Sequence, residues 1–170
     1  PNIDPPVTVY RNPAISNAPA TVTTVVSNTG VVDARDVLIY FYDSGDTVPQ
    51  MSEKFAEYTV DLIPAGGQAV VNVTWMNTHP PGETRYIIVQ VDPLDTIPEM
   101  NESDNIGWEM VPVIGLPDLT VGSGGIYTAP TLPTEGISCY VYAQITNIGD
   151  ANAGTFEVSF YYDQVDGAHL

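Results

Sequence analysis

Apolar residues recur at every second position through most of this chain. Val22, Thr24 and Val26 share one side of an extended segment, as do Val37, Ile39 and Phe41, and then Tyr58, Val60 and Leu62. The pattern continues with Val71, Val73 and Trp75, with Ile87, Val89 and Val91, and with Ile106, Trp108 and Met110. Side chains two apart on a strand point the same way, so each set is expected to supply one layer of a shared core. With Val7 to Tyr10 this makes about seven strands, the number expected of an antiparallel immunoglobulin-like β-sandwich. Turn-forming runs separate them: Asn28-Thr29-Gly30, Asp43-Ser44-Gly45-Asp46, Pro64-Ala65-Gly66-Gly67 and Pro80-Pro81-Gly82. No segment reads as a long helix.

The pattern then starts again. Residues 26–42, VSNTGVVDARDVLIYFY, lie over residues 145–161, ITNIGDANAGTFEVSFY, at a constant offset of 119. Asn28 falls on Asn147, Gly30 on Gly149, Ala34 on Ala153 and Phe41-Tyr42 on Phe160-Tyr161. Because the apolar phase is kept, the same faces should be buried in both copies. The turn-like junction at Ile114-Gly115-Leu116-Pro117 divides the chain into a complete sandwich over residues 1–114 and the first half of a second, about three strands, over 115–170. The inward set of that half is expected to be Val141, Ala143, Ile145, Phe156, Val158 and Phe160. Such a remainder has an apolar face that needs a cover, either the rest of a longer chain or a neighbouring subunit.

Composition narrows the function. Twenty-one acidic residues stand against four basic ones, Arg11, Arg35, Lys54 and Arg85, for a formal net charge of -17. That surface repels phosphate backbones and anionic headgroups, so neither nucleic acid nor direct membrane insertion is expected. The single Cys139 allows no intrachain disulfide. It shares the alternating run Cys139, Val141, Ala143, Ile145, and a buried core position is expected for it. No signal peptide or membrane span is visible, and the chain begins at Pro1 as though processed or excised from something longer.

Four features recur in a set order: the Asn28-Thr29-Gly30 turn before Ala34, the aromatic strand end Phe41-Tyr42, the Gly67 to Trp75 strand, and the Val91-Asp92-Pro93 step into an acidic loop. In this the chain resembles the CARDB family, the cell-adhesion-related domain found in bacteria and archaea, over residues 4–114 and again to residue 163. The resemblance implies Ig-like sandwiches strung in tandem on secreted or surface proteins, without a catalytic centre. It points to an extracellular or cell-surface module whose partners are neighbouring modules or subunits of the same protein. Asp95 and Asp104 stand where the family often has Asn, which makes this loop richer in carboxylates.

Three sets of residues are candidates for contact with something else. Asp92, Asp95, Glu99, Glu102 and Asp104 crowd one loop, and hard cations such as Ca2+ take six to eight oxygens of this kind. The alternative is that short acidic side chains hold the turn by bonding backbone amides; no cofactor is required. Asn72-Val73-Thr74 and Asn101-Glu102-Ser103 are N-glycosylation sequons, and the phase of the strand turns Asn72 outward. Tyr40, Tyr42 and Tyr142 lie out of phase with the core sets and are expected to form an exposed contact surface for a glycan or protein. Trp75 and Trp108 could stack on sugars, but both share phase with apolar neighbours, so core packing is expected of them.

Enzymatic chemistry finds no support. His79 lies beside Pro80-Pro81, His169 near the chain end, and spacing implies no His, Cys and acid cluster. Gly122-Ser123-Gly124 lacks the strand-to-helix setting of a hydrolase nucleophile. The reading is a non-catalytic structural or adhesive module, with a carbohydrate- or protein-binding module as the alternative.

Overall fold

The computed structural model describes residues 2–3, 7–99 and 101–161. The chain divides into two compact units, Pro1–Gly115 and Leu116–Leu170. In the first, the strands run β1 (Asn2–Ile3), β2 (Thr8–Tyr10), β3 (Ala14–Ile15), β4 (Pro19–Ser27), β5 (Ala34–Ser44), β6 (Lys54–Ile63), β7 (Gln68–Met76), β8 (Thr84–Val91) and β9 (Ile106–Ile114). A 3-10 turn at Met51–Glu53 leads into β6.

These strands form two sheets. In one, β4 pairs antiparallel with β1 and β2 along one edge and with β7 along the other. The other runs β3-β9-β8-β5-β6, antiparallel except where β3 meets β9. Val22, Val26, Val71 and Trp75 from the first sheet join Val37, Ile39, Phe41, Ile87 and Val89 from the second in one buried cluster. Full burial of each such side chain is worth about 1.5–3 kcal/mol, which is what holds the sheets face to face. The fold is all-β, an Ig-like sandwich, as the alternation predicts.

One phase break has a local cause. Asp36 adopts a left-handed conformation, φ 50, and the pairing of β5 with β6 steps from Arg35↔Leu62 to Val37↔Val60. The kink lets Ala34 and Val37, three apart, both face the core.

Two expected inward sets are corrected. On β9 the buried residues are Val111 and Val113, whereas Trp108 is 46% exposed and Ile106 and Met110 stand out beside it. The register places Trp108 opposite Ile88 and Met110 opposite Tyr86, so these residues lie on the outer face. β9 carries apolar residues on both sides, Ile106, Trp108 and Met110 on one and Val111 and Val113 on the other, and period alone could not say which side faced inward. On the edge strand β6, Tyr58 and Leu62 are exposed and Val60 only partly buried.

In the second unit, β10 (Leu119–Ala129) and β11 (Tyr140–Asn147) form an antiparallel pair with a register shift between Val121 and Ile126. The third strand expected through Phe156, Val158 and Phe160 is not formed as a ladder strand: residues 156–160 have no strand assignment. In the first unit, β5 is hydrogen-bonded between β6 and β8; among the described residues of the second unit the only ladder is β10–β11. Cys139 is exposed rather than buried: it lies just before β11, outside the ladder. Within the expected inward set, Ala143, Ile145 and Phe160 are partly buried, while Val141, Phe156 and Val158 are exposed.

Candidate functional site

The acidic loop between β8 and β9 is organised by Asp92. This residue is buried, at φ 43, and its amide donates to Leu38 O at 2.8 Å. Its carboxylate accepts from Thr96 N at 3.1 Å and Thr96 Oγ1 at 2.8 Å through Oδ1, and from Ile97 N at 2.7 Å through Oδ2. Three charge-assisted bonds satisfy an ion that would otherwise be costly to bury. Further along, Glu102 Oε1 accepts from Glu99 N at 2.8 Å, and Asn105 Nδ2 reaches Glu99 Oε1 at 3.3 Å and Glu102 Oε2 at 3.4 Å. Burial, with the like charge of Glu102 adding to it, pushes the Glu99 carboxyl above its ordinary value. Asp95 is exposed at φ 53. Asp104 Oδ1 and Asn105 Oδ1 are buried and take no hydrogen bond from the described residues. Among the described residues no group of three or more His, Cys, Asp or Glu side chains is placed to hold a metal. Of the carboxylates of this loop, Asp92 and Glu102 accept from its own backbone.

The tyrosines divide. Tyr40 is 8% and Tyr42 2% exposed, so neither forms the open contact surface expected of them. They do point away from the sandwich core, but that outer face carries its own packed layer, with Ile88 fully buried and Leu38 and Tyr86 against it. Tyr42 OH donates to Gln90 Oε1 at 2.9 Å, Tyr40 packs edge-on to Tyr42, and Lys54 Nζ lies 3.9 Å from the Tyr40 ring centre. Burial raises the Tyr42 phenol above its ordinary value. Tyr142, in contrast, is exposed, and its ring stacks on Tyr127 at 5.0 Å with an interplanar angle of 11°.

Both sequon asparagines are exposed. Asn72 Oδ1 accepts from Thr23 Oγ1 at 2.6 Å across the β4–β7 pair, and Asn101 Oδ1 accepts from Ser103 Oγ at 2.7 Å.

Residue spacing concealed one constellation. At the end of the sandwich, the Asp43 carboxylate receives Trp75 Nε1 at 2.9 Å, His79 Nε2 at 2.7 Å and Arg85 Nε at 2.7 Å. Arg85 Nη2 also donates to Asp43 O at 2.9 Å, and His79 Nδ1 lies 3.2 Å from Glu83 Oε2. Trp75 belongs to one sheet while Asp43 and Arg85 belong to the other, so the cluster laces the two layers together. Its members come from four separate segments. Only the Asp43 turn and the Trp-ended strand were visible beforehand, each as a local signal.

The CARDB family profile matches residues 3–107 and 116–168. Among solved structures, the chain is similar to the CARDB domain of a Pyrococcus furiosus protein, determined in complex with di-metal ions. The two are 21% identical, the match covers 66% of this chain and 90% of that one, and the TM-score is 0.53. It is also similar to a domain of a putative cell surface protein from Methanosarcina acetivorans, at 20% identity, covering 67% of this chain and 92% of that one with a TM-score of 0.52. These likenesses concern the fold. No curated protein matches the chain.

Proposed function

The chain belongs to the CARDB family of cell-adhesion-related domains, and from that premise we propose that it is a non-catalytic, extracellular structural or adhesive module, carried in tandem copies. The observation that carries this reading is the repeated turn: Asn28 Oδ1 accepts from Gly30 N and Asn147 Oδ1 from Gly149 N, each at 3.1 Å. A sequence repeat that rebuilds the same turn supports a second copy of the module begun at residue 116. CARDB is a non-enzymatic family. The polar cluster around His79 fits a structural role, since the Asp43 carboxylate is already engaged by Trp75, His79 and Arg85.

Display on the cell surface is tested with antibodies raised against the first unit. Labelling of intact cells, lost after external protease treatment, is the expected result. Labelling that requires lysis would overturn the extracellular reading, and turnover of ester, peptide or glycoside substrates by the purified chain would overturn the non-catalytic one.

A further inference from the structure

The outer face of β8 and β9 departs from what a solvated sheet face requires. Half-exposed Ile106, Trp108 and Met110 stand in a row along β9, a ridge of roughly 13 Å at about 3.3 Å per residue. No outward position between Thr84 and Gln90 or between Ile106 and Pro112 carries a charge, in a chain whose net charge is -17. The indole is held in place: Tyr86 meets Trp108 edge-on, with ring centres 5.7 Å apart at 72°. Beneath the ridge, Ile88 is completely buried and Tyr42 nearly so, so the platform rests on packed side chains rather than on a mobile loop.

We propose that this ridge binds a neutral oligosaccharide, with Trp108 as the stacking surface. A sugar ring presents an apolar C–H face to an aromatic plane and hydroxyls at its edge. Here the plane is Trp108, flanked by Ile106 and Met110, and the polar groups are the Trp108 Nε1–H, which has no hydrogen-bond partner among the described residues, and the Gln90 amide. An edge-held indole loses little conformational freedom on binding, which favours contact through few residues. The ridge offers roughly 300 Å2, well short of the ~800 Å2 per partner that a stable protein complex buries. Anionic polysaccharides are disfavoured by the charge of the whole molecule. The proposal deepens the adhesive reading and rests on it for its biological sense.

The test exploits the presence of two tryptophans, Trp75 1% and Trp108 46% exposed. Acrylamide quenching of the full chain therefore reports chiefly on Trp108. Millimolar hexaoses of glucose or N-acetylglucosamine are expected to cut the quenching constant about twofold, while galacturonic acid hexaose does not. In affinity electrophoresis through gels containing neutral glucan or glucomannan, Trp108→Ala should weaken retardation about tenfold, corresponding to about 1.4 kcal/mol. Leu94→Ala, an exposed change elsewhere, should leave it intact, and both variants should melt with the parent within a few degrees. No protection by any neutral hexaose would overturn the proposal, as would protection of Trp108 that follows protein concentration and signals a second copy on the ridge. Absence of sugar binding by a chain displayed on cells removes this site but leaves the adhesive reading. Binding followed by cleavage of the hexaose keeps the site and removes the non-catalytic reading.

Discussion

Asn28 and Asn147 make the same turn 119 residues apart. Each side-chain oxygen takes the amide two residues on, and each Nδ2 donates to the carbonyl four residues on, Val32 O at 2.8 Å and Ala151 O at 2.7 Å. The third bond differs: Asn28 Nδ2 donates to Ile63 O at 3.0 Å at the end of β6, whereas Asn147 Oδ1 accepts from Asp118 N at 3.0 Å. The difference marks where the second unit has no partner strand in the described structure. Asn28→Ala should therefore destabilise the first unit by about 2–3 kcal/mol in denaturant titration, since three bonds are lost at a buried site. Asn147→Ala, at an exposed turn, should cost less than about 1 kcal/mol.

Asp43 should be among the most sensitive polar positions. Its side chain is 15% exposed and Arg85's 16%, and Asp43→Ala removes the acceptor of Trp75 Nε1 and of Arg85 Nε together. A loss of about 3 kcal/mol is expected, with Asp43→Ala/Arg85→Met less than additive in a double-mutant cycle. Additive losses would show that the two groups do not share a network.

Tyr42 should behave as a core residue. Tyr42→Phe, which removes only the bond to Gln90, should cost about 1 kcal/mol, while Tyr42→Ala should cost about 3–5 kcal/mol. Because burial raises its folded pKa, the associated stability is complete below the ordinary phenol value and is lost as pH rises through the raised one. Alkaline difference spectra should show one tyrosine ionising late, and Tyr42→Phe should remove that step.

The Glu99 carboxyl titrates above its ordinary value because of burial. Its protonated form is thus favoured in the fold, so its contribution to stability is full at acid pH and is lost as pH rises through the raised value. Glu99→Gln should raise the melting temperature at neutral pH and leave it nearly unchanged at acid pH. Parallel melting curves for the two proteins across that range would contradict the assignment.

The loop after β8 should hold its shape without a cation, because the Asp92 carboxylate is occupied by Thr96 and Ile97. Asp92→Ala should cost about 2–3 kcal/mol, and EDTA should leave the melting temperature of the parent chain unchanged. A rise in melting temperature with millimolar Ca2+ would instead place an ion at the loop, where Asp104 Oδ1 and Asn105 Oδ1 are the open oxygens.

Alternation, turn residues and the offset repeat determined the all-β fold and most of the core from the sequence alone. These are local signals: a period of two follows from strand geometry, and Asn-x-Gly builds its turn from its own side chain. Tertiary structure decided which side of a strand was covered. β9 carries large apolar residues on both faces, and the side that packed inward was that of Val111 and Val113, so Trp108 became an exposed platform while Trp75 became core. Tyr40 and Tyr42 point outward as their phase requires, yet Ile88 and its neighbours bury them. Burial is a property of what lies opposite. For the Asp43 cluster the partners come from distant segments, and no local pattern carries that information.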